Sequence, residues 1–128
     1  MNDHQYLLHC RQLLADFART LSQRTGYMDE TDPLKQLAEA FQQLADNEES
    51  DLYGIGPDLV DRLFTTYPDF APTLPRELLW FLGGDCLHFM PDDEIALYQQ
   101  LDELRAEAAA RGELLNLGAA RAKLLKLQ

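Results

Sequence analysis

A chain of 128 residues with 46% apolar residues and a net charge of −11 has the length of one domain. Folding it buries about two thirds of the surface that the extended chain would expose. No apolar run approaches the ~18 residues of a membrane span. The acidity disfavours phosphate backbones and anionic lipid, so neither nucleic acid nor a membrane is an expected partner.

Met1-Asn2-Asp3-His4 carries neither the basic start nor the apolar core of a secretion signal, and the expected location is the cytoplasm. The two cysteines, Cys10 and Cys86, are too few for a disulfide framework and are expected as thiols in a reducing compartment.

From Asn2 to Thr25, Tyr6, Cys10, Leu13, Leu14, Phe17 and Leu21 recur at intervals of three and four, which predicts a helix with one apolar side. Gly26 suits the position after its end. Cys10 lies on the apolar stripe, and His4 and His9 fall near the polar side. Asp32-Pro33 is a cap followed by a first-turn proline. Leu34, Leu37, Phe41 and Leu44 continue as a second helix, which fades at Asp46-Asn47-Glu48-Glu49-Ser50. The two helices are expected to form an antiparallel hairpin.

The negative charge is unevenly spread. Asp29, Glu30, Asp32, Glu39, Asp46, Glu48, Glu49, Asp51, Asp58 and Asp61 face Lys35 alone, whereas Arg111, Arg121, Lys123 and Lys126 dominate the tail. Glu48, Glu49, Asp51, Asp58 and Asp61 are the candidate residues for docking a basic protein. A second copy could meet the same acids with its basic tail, giving a homodimer.

Leu52-Tyr-Gly-Ile-Gly-Pro-Asp-Leu-Val-Asp-Arg-Leu63 contains an apolar-Gly-apolar-Gly turn, Gly54 to Gly56, running into apolar helical positions Leu59, Val60 and Leu63. It resembles the second half of a helix-hairpin-helix DNA-binding element. The resemblance implies glycine amides approaching a DNA phosphate, but Asp58 and Asp61 place negative charge where that phosphate would sit. Without DNA, the glycines shape a tight turn and Pro57 starts a helix.

Tyr67 to Pro75 holds Pro68, Pro72 and Pro75 and reads as an extended connector pinned by Tyr67, Phe70 and Leu74. The segment from Pro75 to Pro91 carries the single tryptophan and the densest apolar run. Leu78 to Leu82 is apolar on every side, which predicts an enclosed helix with a core centred on Trp80, Phe81 and Leu82. Gly83-Gly84 either ends that helix or lets a neighbour approach. Asp92, Asp93 and Glu94 then open a helix running to Arg111 and closed by Gly112. A short last helix is expected over 119–127.

Every periodic segment reads as helix. The expected fold is therefore all-α, a compact bundle of five or six helices around a buried central apolar helix, with residues 1–128 as a single domain.

Asp85, Cys86 and His88 form the one local cluster of a thiol, an imidazole and a carboxylate. With His9 and Cys10 it would supply four zinc ligands, but the spacing matches no common structural zinc pair, and neighbouring His9 and Cys10 diverge on a helix. A Cys86–His88 nucleophile and base are two apart and do not face each other on a helix. His88 is instead expected to be partly buried and bonded to a carbonyl or to Asp85. No catalytic residue, metal or cofactor is assigned. The expected function is a non-enzymatic interaction module, such as an adaptor, inhibitor or immunity-type protein, that docks a basic partner. The alternatives are a small-ligand or metal-dependent enzyme around Asp85, Cys86 and His88, and nucleic-acid binding through the glycine turn.

Overall fold

The computed structural model describes residues 3–112, 120, 121, 123 and 124. Among these the fold is all-α, with five α-helices between Asp3 and Ala110, two 3-10 turns and no strand. Helix α1 (Asp3–Thr25) buries Cys10, Leu14, Phe17, Ala18 and Leu21. Helix α2 (Pro33–Asp46) buries Leu34, Leu37, Ala38, Phe41 and Leu44. Both patterns follow the helical repeat of the sequence. Asp32 caps α2 by accepting from the Leu34 amide at 2.9 Å. The two helices form the antiparallel hairpin. Phe17 meets Phe41 edge-on at 5.1 Å, Arg11 donates to the Ala45 carbonyl at one end, and Lys35 donates to the Met28 carbonyl at the other.

Helix α3 (Leu52–Thr66) departs from the expected turn. It opens at Leu52 rather than at Pro57, because the Asp51 carboxylate caps it by accepting from the Gly54 amide at 3.0 Å. Gly54 and Gly56 therefore lie inside the helix, and no glycine turn presents amides outward. Pro57 removes the usual donor to the Tyr53 carbonyl, but Tyr53 is exposed and water can serve there. Gly56 has a packing role: a Cβ on it would come within 2.8 Å of Leu82 Cδ2.

A 3-10 turn over Ala71–Thr73 breaks the proline-rich connector. Leu74 is buried beneath it, and Tyr67 and Phe70 are half-buried against the core. Helix α4 (Arg76–Leu82) ends at Gly83, whose φ of +63° suits glycine. Gly84 follows with φ +54°, and a 3-10 turn spans Gly84–Phe89. Helix α5 (Asp92–Ala110) buries Leu97, Tyr98, Leu101 and Ala108, with Gly112 at φ +72° beyond it. Of the expected last helix, residues 120, 121, 123 and 124 are helical, and the rest lies outside the described residues.

Helix α4 is not enclosed on every side. Leu78, Leu79 and Leu82 are buried, whereas Trp80 and Phe81 are half-buried. At seven residues, about two turns, the helix turns one flank inward, and the three leucines take it. All five helices contribute to one buried cluster that runs in sequence from Cys10 to Leu101.

Gly56→Ala should reverse the usual sign of a glycine-to-alanine change in a helix. That change ordinarily stabilises by roughly 0.5–1 kcal/mol, but here the new methyl meets Leu82 in a packed core. Leu79→Ala should cost about 2–5 kcal/mol through lost contacts and a cavity. Denaturant midpoints measure both, and a higher midpoint for Gly56→Ala would contradict the packing.

Candidate functional site

The five acidic docking candidates gather around the start of α3. Glu48 and Glu49 lie in the connection from α2, and Asp51 is the α3 cap. Asp58 stands seven residues after Asp51 and Asp61 three residues further, so the three share one stripe of the helix surface. All five residues are exposed. The Asp51 carboxylate, however, already accepts a backbone hydrogen bond and is not a free charge.

Two large apolar side chains flank this stripe. Tyr53 is 59% exposed and Ile55 46% exposed. Ile55 borders a hollow of about 210 Å³ between α2 and α3, lined by Leu44, Asn47 and Ser50 among others.

Tyr53 borders a larger groove of about 410 Å³ that α1, α3, α4 and α5 build together. Its apolar wall is aromatic. Phe81 lies 6.1 Å from Tyr6, edge-on, and 5.5 Å from Tyr53, tilted. The Trp80 indole N–H donates to Asp102 Oδ2 at 2.9 Å, tying α4 to α5. Arg105 lies 4.4 Å over the Tyr6 ring, donates to Asp3 Oδ1 at 2.6 Å, and stands 3.6 Å from Asp102 Oδ1. Its Nε is buried without a partner among the described residues.

Burial opposes the Arg105 charge, but the hydrogen bond to Asp3 and the carboxylates of Asp102 and Asp3 outweigh it, so its pKa is raised. Burial, then negative charge at Cys10 and Glu77, pushes the Tyr6 hydroxyl well above the usual phenol range. Beside the groove, His9 Nε2 lies 3.1 Å from Glu77 Oε2. This contact links α1 to α4, so His9 is not a purely solvated histidine.

The cluster of Asp85, Cys86 and His88 is divided by the 3-10 turn that carries it. Cys86 is fully buried in the core, while the side chains of Asp85 and His88 are 85% and 81% exposed. His88 is thus not partly buried, and its Nε2 stands 3.9 Å from Asp85 Oδ1, beyond hydrogen-bond range. Cys10 is also fully buried. Among the described residues no group of three or more His, Cys, Asp or Glu side chains could hold a metal ion.

Burial pushes the Cys10 thiol up to about 12, against a lowering hydrogen bond with Tyr6. Burial, then the Asp85 carboxylate, pushes Cys86 up to about 11. Neither thiol is poised as a thiolate nucleophile near neutral pH.

Residues 1–128 match the PA2817-like family. The chain belongs to that family. No curated protein and no solved structure matches it. Among the described residues of this PA2817-like chain, no helix is long and apolar enough to cross a membrane.

The aromatic groove was not apparent in the linear sequence, because Asp3, Tyr53, Trp80 and Arg105 come from four separate helices. A partial signal was available. Leu7 and Leu8 extend the apolar positions of α1 beyond its single stripe, and Leu7 lines the groove.

Both thiols should stay unmodified by an aromatic disulfide reagent in the native protein at about pH 8 and react only on unfolding. The raised folded pKa values also set an alkaline limit. Each thiol ordinarily titrates near 9, so its contribution to stability is complete below that pH. It is lost as pH rises through the window ending at about 11 for Cys86 and about 12 for Cys10, because only the unfolded chain gains the charge there. Denaturant midpoints that stay flat across that window would contradict this.

Proposed function

We propose that this chain is a non-enzymatic cytoplasmic interaction module that docks a basic protein on the α2–α3 corner. The observation that carries the reading is the placement of exposed Tyr53 and Ile55 beside the exposed carboxylates of Glu48, Glu49, Asp51, Asp58 and Asp61. An acidic stripe flanked by exposed apolar side chains offers both the charge and the apolar surface that a protein interface uses. The stripe attracts a basic partner and sets its approach, and the apolar flanks hold it once docked. The division of Asp85, Cys86 and His88 between core and solvent gives the enzymatic alternative no support. The helical course of Gly54 and Gly56 likewise gives the DNA-binding alternative no support.

The test compares wild type with a Glu48→Gln, Glu49→Gln, Asp51→Asn variant in affinity capture from the native host. Asparagine at position 51 keeps the helix cap, so the fold should survive. Wild type should retain a basic protein at low salt and release it as the Debye length falls from ~10 Å at 0.1 M towards ~3 Å at 1 M. The variant should retain much less of it. Equal retention by both proteins at every salt concentration would sink the reading. Sedimentation at low and high salt identifies the remaining case, in which the basic partner is a second copy of this chain.

A further inference from the structure

The groove beside Tyr53 already holds one guanidinium, that of Arg105, stacked on Tyr6 and bonded to Asp3. Two carboxylates, Asp3 and Asp102, face that single cation, so the groove remains net negative. Asp102 spends one oxygen on the Trp80 indole, and its other oxygen lies 3.6 Å from Arg105, outside hydrogen-bond range. Asp3 is fully exposed. Across the groove the Tyr53 ring, 59% exposed, and the half-buried Phe81 ring stand 5.5 Å apart and inclined. The volume of about 410 Å³ falls in the range of sites that enclose a small ligand or a long side chain.

From this we infer that the groove is a socket for a second guanidinium, an arginine side chain of the basic partner, packed against Tyr53 and Phe81 and neutralised by Asp3 and Asp102. The inference rests on the interaction reading above and names the anchor that such a partner would insert. Aromatic faces attract cations through the ring quadrupole. A planar guanidinium is favoured over a lysine ammonium because it stacks on a ring while its N–H edges meet carboxylates. Arg105 realises both contacts in the same groove. Tyr53 connects the socket to the acidic stripe of α3, so a partner steered by that stripe reaches the groove without leaving the surface.

The test needs no partner, because Trp80 is the single tryptophan and its indole N–H reports on the groove. N-acetylarginine amide is titrated into the full-length protein while the indole N–H resonance is followed. It should shift that resonance saturably. N-acetyllysine amide should bind more weakly, and the uncharged N-acetylcitrulline amide should leave the resonance in place. Tyr53→Ala, a change at an exposed residue, should weaken arginine-amide binding by about threefold, as expected for an exposed cation–π contact. Asp3→Asn should weaken it as well.

No saturable shift, an equal shift from the citrulline compound, equal binding of the lysine compound, or unchanged binding by both variants would overturn the socket. Failure of the socket while wild type still retains a basic protein in a salt-sensitive way removes only the arginine anchor. Arginine-amide binding in a protein that retains no basic partner removes the docking reading instead.

Discussion

Helix α4 holds this structure together through a strict division between its two sides. Leu78, Leu79 and Leu82 point into the core, where they are nearly or fully buried. Each remaining side chain reaches a different neighbour. Arg76 donates to Glu94 of α5 and to the Phe89 carbonyl, both at 2.9 Å. Glu77 meets His9 of α1, Trp80 donates to Asp102 of α5, and Phe81 packs between Tyr6 of α1 and Tyr53 of α3. A helix of seven residues is too short to persist alone in water, so these contacts are what hold it helical. In return it ties α1, α3 and α5 into one body.

The same division creates the groove. Because the leucines occupy the buried flank, Trp80 and Phe81 are displaced to the surface and form an aromatic floor there. Gly56 allows this by leaving room for Leu82 against α3. A side chain at that position would force Leu82 to shift in the core beneath Phe81. Packing therefore determines which rings face solvent, and the functional proposal depends on those rings.

Much of the architecture was legible from local chemistry. The leucines and phenylalanines of α1 and α2, the Asp32-Pro33 start, and the acidic first turn of α5 all signal helices through spacing and capping, which need no knowledge of distant residues. The sidedness of α4 was not legible, because five consecutive apolar residues from Leu78 to Leu82 carry no periodic signal. The start of α3 was misread for a related reason. Gly54, Gly56 and Pro57 are all poor helix formers, and the Asp51 cap with the burial of Leu52, Leu59, Val60 and Leu63 draws them into a helix. The acidic residues were legible as a set, but their alignment with Tyr53 and Ile55 depended on that unexpected start. The separation of Cys86 from Asp85 and His88 reflects a 3-10 turn, which sends neighbouring side chains to different sides of the surface.

The account depends most on the tie between α4 and α5, which keeps Trp80 at the groove edge with its leucine neighbours inside. A double-mutant cycle on Trp80→Phe and Asp102→Ala, read from equilibrium unfolding, measures that tie directly. A hydrogen bond from the indole to the carboxylate should give a coupling of about 1 kcal/mol or more, since a charged acceptor strengthens the bond. Additive effects, with coupling below about 0.3 kcal/mol, would mean that Trp80 does not tie α4 to α5 and that the groove has no fixed edge there.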